Sequence, residues 1–112
     1  MDMRTAQRIY ESLTKEKRDP DFTALLEQFL KDAVQYAHIR AEWYFKSRKK
    51  KIHADQARTA AHNSFISSCN ILARYMKNNN LESTWREEIG EDRKVIGDFA
   101  CYLHCLLGLR SR

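Results

Sequence analysis

The sequence predicts an all-α fold, a compact bundle of four main helices plus one short helical turn, and three observations carry that expectation. Three Gly and one Pro among 112 residues are too few for the many tight connections of a small β-sandwich or barrel. Hydrophobic residues make up 43% and charged residues 31%, so the chain has enough apolar side chain to fold around a core rather than remain disordered. Apolar positions recur at helical spacing along most of the length. A chain of this size builds one core and not two, so residues 1–112 are read as a single helical domain.

Residues 3–17 read as a first helix with Ala6, Ile9, Tyr10 and Leu13 on one side, ending before Asp19, Pro20 and Asp21. Pro20 disfavours helix in the residue before it, and either aspartate can cap the next helix. From Phe22 the apolar positions Leu25, Leu26, Phe29, Leu30, Ala33, Val34, Ala37, Ala41 and Tyr44 trace a long amphipathic helix. Its exit is expected at the basic stretch Lys46–Lys51, where the negative end of the helix dipole favours cations. A third helix is expected from about Asp55 to Lys77, stopped by Asn78, Asn79 and Asn80, which tolerate a left-handed conformation. Thr84 with Glu87 matches a capping box for a short helical piece ending at Gly90. A final helix should run from Glu91 to Leu107.

Charge and cysteine usage bound the setting. There are 20 Lys plus Arg against 15 Asp plus Glu, and Lys46, Arg48, Lys49, Lys50 and Lys51 account for the whole excess of +5. The basicity is therefore one local patch rather than a charged face spread over the domain. Three cysteines, Cys69, Cys101 and Cys105, are an odd count, with two of them four apart in an apolar helical stretch, so reduced thiols fit better than a disulfide framework. No apolar run approaches the roughly 18 to 20 residues of a membrane span, and the opening Met1–Arg4 lacks the order of a signal peptide, so a cytoplasmic protein with no membrane partner is expected.

Two helices carry residues that stand out from their faces. On the third, Thr59, Asn63, Ser67, Asn70, Arg74 and Lys77 align along one stripe, which periodicity reads as the wet face. Arg58 and His62 instead fall with Phe65, Ile66, Cys69, Ala73 and Met76 on the packing side, where a cation needs a carboxylate. The last helix supplies one. Val95, Ile96, Phe99, Tyr102, Leu103 and Leu106 form its apolar face, while Gly97, Cys101, His104 and Gly108 lie opposite and no charge occurs between Asp98 and Arg110. Such a helix is either central in the bundle or half of a subunit interface, so a homodimer is expected. Asp98 is then the exception, expected to pair with Arg58, Arg74 or His62.

The spaced residues Arg58, His62, Asn63, Asn70, Arg74, Tyr75, Trp85 and Arg93, followed by Ile96, Gly97, Asp98, Phe99 and Ala100, resemble a small all-helical bacterial family of unknown function. The resemblance spans residues 55–107. It implies a helical bacterial cytoplasmic protein and no particular activity. It also implies that Asn63, Asn70 and Arg74 belong with Arg58, His62 and Asp98, against the reading of a wet stripe; burial separates the two.

Three chemistries compete with a non-enzymatic protein-interaction module, the reading the sequence favours. His62, Cys69, Cys101, His104 and Cys105 are metal-ligand types, but no CxxC, HExxH or paired ExxH spacing is present, so neither a metal nor another cofactor is expected. Helical ribonucleases of the HEPN type, which need no metal, carry an Arg and a His with four to six residues between them. Arg48 with His53 fits that spacing and Arg58 with His62 falls short of it; such a pair would serve as general acid and base. The basic patch follows Trp43, Tyr44 and Phe45, and rings beside cations can stack on bases while the charges meet phosphates, which makes nucleic acid the alternative partner.

Overall fold

A computed structural model describes residues 1–15 and 19–110. The fold is all-α. Five helices succeed one another, α1 (Met3–Lys15), α2 (Pro20–Tyr44), α3 (Arg48–Asn78), α4 (Trp85–Ile89) and α5 (Arg93–Arg110), with no strand among the described residues. Four are long and α4 is the short turn of helix expected between the asparagines and Gly90. None is long and apolar enough to cross a membrane.

Local chemistry sets the boundaries. Residues 16 and 17, the expected end of the first helix, lie outside the described residues. Asp19 is the aspartate that caps α2: its Oδ1 accepts from the Phe22 amide at 2.7 Å, and Pro20 occupies the first turn, where its missing N–H is no loss. The Tyr75 hydroxyl also donates to Asp19, tying this corner to α3. These hydrogen bonds, the Phe22 amide foremost, hold the Asp19 carboxyl below its ordinary range. Asn80, at φ 59°, takes the left-handed turn after α3. Gly90, at φ 67°, ends α4 in a conformation that side chains resist.

Two expectations are corrected. The capping box does not form: Thr84 is already helical, at φ −64° and ψ −18°, and it is Glu82 whose side chain accepts from the Thr84 amide at 2.9 Å. The larger correction concerns α3, which begins at Arg48 rather than near Asp55. Ser47 caps it, accepting weakly from the Lys50 amide at 3.4 Å, and the lysines after it are good helix formers. The basic stretch is thus the first turn of α3 and not the exit of α2, so its cations face the positive end of a helix dipole.

Only Phe45–Ser47 separate α2 from α3, and the two pack along each other as an antiparallel hairpin. The 31 residues of α3, at 1.5 Å each, reach about 46 Å, which accounts for the longest dimension of the molecule, 47 Å. Away from the hairpin's tip, about midway along α3, the core gathers one aromatic from each of four helices. The Phe29 ring lies 5.5 Å from Phe65, 5.7 Å from Trp85 and 6.2 Å from Phe99, and all four side chains are buried. Ala6, Ile9, Tyr10 and Leu13 bury the inner face of α1, which packs on α5.

The last helix is central. It touches each of the other four, with Ile96, Phe99, Ala100 and Leu103 fully buried and Cys101, Tyr102, His104, Leu106 and Leu107 half-buried. Part of its second face, Gly97 with the half-buried Cys101 and His104, is covered from within the chain, while Cys105, Gly108 and Leu109 near its end stand exposed.

Phe29→Ala removes the ring around which the other three are arranged and is expected to cost about 3–5 kcal/mol. Urea denaturation followed by circular dichroism checks this as a lowered midpoint at unchanged slope.

Candidate nucleic-acid interface

The six residues expected to form a polar network do not converge. Asp98 does not meet Arg58, Arg74 or His62; its partner is Arg40 of α2, whose Nη1 donates to Oδ1 at 3.0 Å, with Lys94 Nζ 3.2 Å from Oδ2. Arg58 is taken instead by Asp55 one turn earlier, at 2.9 Å, and by the Trp43 ring, whose centroid lies 3.8 Å from its guanidinium carbon. The hydrogen-bond energy and cation–π attraction available from these two neighbours replace the distant carboxylate. His62 sits edge-on to the Tyr36 ring with its Nε2 buried and lacking an acceptor or donor, while its Nδ1 lies 3.3 Å from Asn63 Oδ1. Asn63, Asn70 and Arg74 are exposed, as the stripe's periodicity indicates. Asn70 is not idle, since it accepts from Arg86 Nε at 2.7 Å and so links α3 to α4.

Arg40 escapes the sequence reading, although its spacing carries a signal. It continues the buried stripe Phe29, Ala33, Tyr36 at steps of three and four, the same argument that singles out Arg58 and His62. Its side chain is 12% exposed and that of Asp98 22%, so the pair is largely withdrawn from water. Gly97 makes room for it: a Cβ there would stand 2.8 Å from the Arg40 guanidinium carbon. Partial burial works to raise the Asp98 carboxyl, but hydrogen bonds from Arg40 and Lys94, together with their charges, outweigh it and hold the group below its ordinary value.

The basic patch lies at the tip of the α2–α3 hairpin. Arg48, Lys49 and Lys50 are exposed and Lys46 and Lys51 half-buried. Trp43 anchors the tip, because its indole N–H donates to the Lys51 carbonyl at 3.3 Å and its ring carries the Lys51 ammonium at 4.7 Å as well as Arg58. Around this anchor three large apolar side chains stand in the open: Tyr44 at 56% exposure, Phe45 at 91% and Ile52 at 74%. A depression of about 510 Å³ between Trp43, Arg48, Lys51, Ile52 and Asp55 runs beside them. The acids flanking the patch are Glu42 and Asp55, and Asp55 is already engaged by Arg58.

The other chemistries acquire no common site. Arg48 and His53 project about 140° apart around α3 and line separate depressions. Arg58 and His62 share a face, but the first is held by Trp43 and Asp55 and the second keeps its Nε2 inside. Among the described residues no three His, Cys, Asp or Glu side chains are placed to hold a metal ion. Burial pushes the Cys69 thiol far up, away from the reactive thiolate.

Asp98→Asn is expected to cost about 1–3 kcal/mol near pH 7, since it leaves Arg40 withdrawn from water with a neutral partner. The folded-state pKa is depressed, so the stabilisation is present above the unfolded value near 3.8 and lost as pH falls through the lower folded value. Urea midpoints measured from pH 7 down to pH 2 should show wild type and variant converging at the acid end. Gly97→Ala drives a methyl group into the guanidinium and should return the Asp98 carboxyl toward 3.8 in a ¹³C titration.

Comparison of the chain with protein-family models, with curated proteins and with solved structures finds no match.

Proposed function

We propose that this protein is a non-enzymatic interaction module that engages single-stranded nucleic acid through the tip of the α2–α3 hairpin. One observation carries the reading. The five cations responsible for the whole net charge flank exposed Tyr44, Phe45 and Ile52 on the same end of the molecule. Exposed rings beside phosphate-seeking charges are the combination that binds unpaired bases, whose faces stack on aromatics regardless of sequence. A paired duplex offers phosphates but hides those faces, so the rings favour the single strand.

The local geometry supports a surface held ready in advance. Trp43, fixed to the Lys51 carbonyl and covered by two cations, is spent on holding the hairpin together. Tyr44 and Phe45, which come next at the helix end, remain available. The cations come from both sides of the turn, Lys46 before the Ser47 cap and Arg48 to Lys51 after it, so a strand crossing the tip meets charge along its path.

Fluorescence anisotropy with a labelled oligothymidylate should show binding that weakens with salt. Five phosphate contacts give a slope of about −3.5 in log K against log salt on a single strand. Phe45→Ala should weaken binding by about 1–3 kcal/mol, and Lys49→Glu with Lys50→Glu should abolish it. Binding indifferent to salt and to these substitutions, or absent altogether, overturns the reading.

A further inference from the structure

A second recess lies on the flank of the molecule and meets the exposed rings only at Tyr44. It measures about 320 Å³ and is lined by Tyr36, Arg40, Tyr44, Arg58, Arg93 and Lys94. These residues come from three helices: Tyr36, Arg40 and Tyr44 from α2, Arg58 from α3, and Arg93 and Lys94 from the first turn of α5. The convergence is a product of folding, because the cations are scattered over more than fifty positions of the chain and form no charge run in the sequence.

The charges in the recess do not cancel. Asp98 serves both Arg40 and Lys94, and Asp55 serves Arg58, so four cations face two carboxylates. Arg93 has only a neutral partner, donating to the Thr59 hydroxyl at 3.0 Å. Arg58 keeps a buried Nε with no acceptor despite its two neighbours, leaving its hydrogen bonding incomplete within the chain. Cations that converge on a concave site without matching acids concentrate positive potential there. The excess of two matches a dianion, and the guanidinium fork matches the oxygens of a phosphoryl group. The tyrosines add flat apolar wall for an organic substituent, and the volume falls at the small end of ligand sites, roughly 300–1,000 Å³.

We infer that this flank recess binds a phosphate monoester, with Arg58, Arg93 and Lys94 meeting the phosphoryl oxygens and Arg40, fixed by Asp98, forming the wall behind them. The phosphate belongs either to a free nucleotide or to the terminus of a strand; both present the same dianion. The cations of this inference are none of the lysines of the hairpin tip, and Tyr44 alone is shared with the exposed rings, so changes at Lys49, Lys50 or Phe45 separate it from the proposed tip interface.

Calorimetric titration of the wild-type protein with adenosine 5′-monophosphate should show saturable binding at one site, and titration with adenosine should show none. Arg93→Gln combined with Lys94→Gln should weaken the nucleotide by at least about tenfold while circular dichroism reports an unchanged fold. Arg93→Lys, which keeps the charge and loses the fork, should weaken the nucleotide measurably but by less than the double variant, and does so whether or not the double variant folds well. Lys49→Glu with Lys50→Glu should leave nucleotide binding in place. A matched pair of oligonucleotides with and without a 5′-phosphate assigns the source: a gain from the phosphate that disappears in the double variant identifies strand ends, and no gain alongside saturable monophosphate binding identifies the free nucleotide. Equal affinity for adenosine and its monophosphate, failure to saturate at millimolar nucleotide, or loss of binding on changing Lys49 and Lys50 overturns the inference.

Discussion

The enclosure of α5 by the other four helices is the constraint on which most of the structure depends. A helix so surrounded must be largely apolar or small, and between its exposed first turn and Arg110 this one carries no charge but Asp98. That carboxylate cannot be left alone where it sits, and Arg40 reaches across from α2 to meet it over the space left by Gly97. The pair ties α5 to α2 beside their apolar contacts. It thereby brings Arg93 and Lys94 to the wall that Arg58 and Tyr36 form on the facing helices.

What the sequence makes legible depends on whether a rule is local or long-range. The helical class, the Asp19–Pro20 boundary, the asparagine stop and the Gly90 stop rest on single-residue conformational preference, and all appear in the structure. The start of α3 does not, because a lysine run satisfies helix propensity and violates the dipole rule at once, and propensity together with the Ser47 cap prevails. Asp98 is legible as a carboxylate needing a cation; which cation it finds depends on how two helices separated by 58 positions are turned toward each other. Arg58 illustrates the same limit from the other side. Periodicity places it correctly on the packing face, but Trp43, fifteen positions earlier and across a hairpin that periodicity does not reveal, supplies its neighbour.

The molecule divides its aromatic side chains between two tasks. Phe29, Phe65, Trp85 and Phe99 are consumed in joining the helices about midway along α3. At the hairpin's tip Trp43 is consumed in closing the turn, while Tyr44, lightly engaged by Trp43 and Arg40, and Phe45 remain largely in the open. The polar residues are divided likewise. Asn70 with Arg86, Ser68 with Asp32, and Arg8 with Glu88 bind helices to each other, whereas the cations of the tip have almost no acids within the chain to answer them.

The Ser47 cap gives that imbalance a thermodynamic meaning. It starts a helix whose opening turn holds Arg48, Lys49, Lys50 and Lys51 together at the electropositive pole of the backbone, with no acid in that turn to relieve it. The first turns of α3 are therefore electrostatically frustrated, kept helical by a weak cap and by the grip of Trp43. Any anion that settles there relieves the mutual repulsion of the side chains and the mismatch with the peptide dipoles in one event. Ordering of this segment and capture of a ligand are in that way a single linked equilibrium, in which part of the affinity is the helix's own gain in stability.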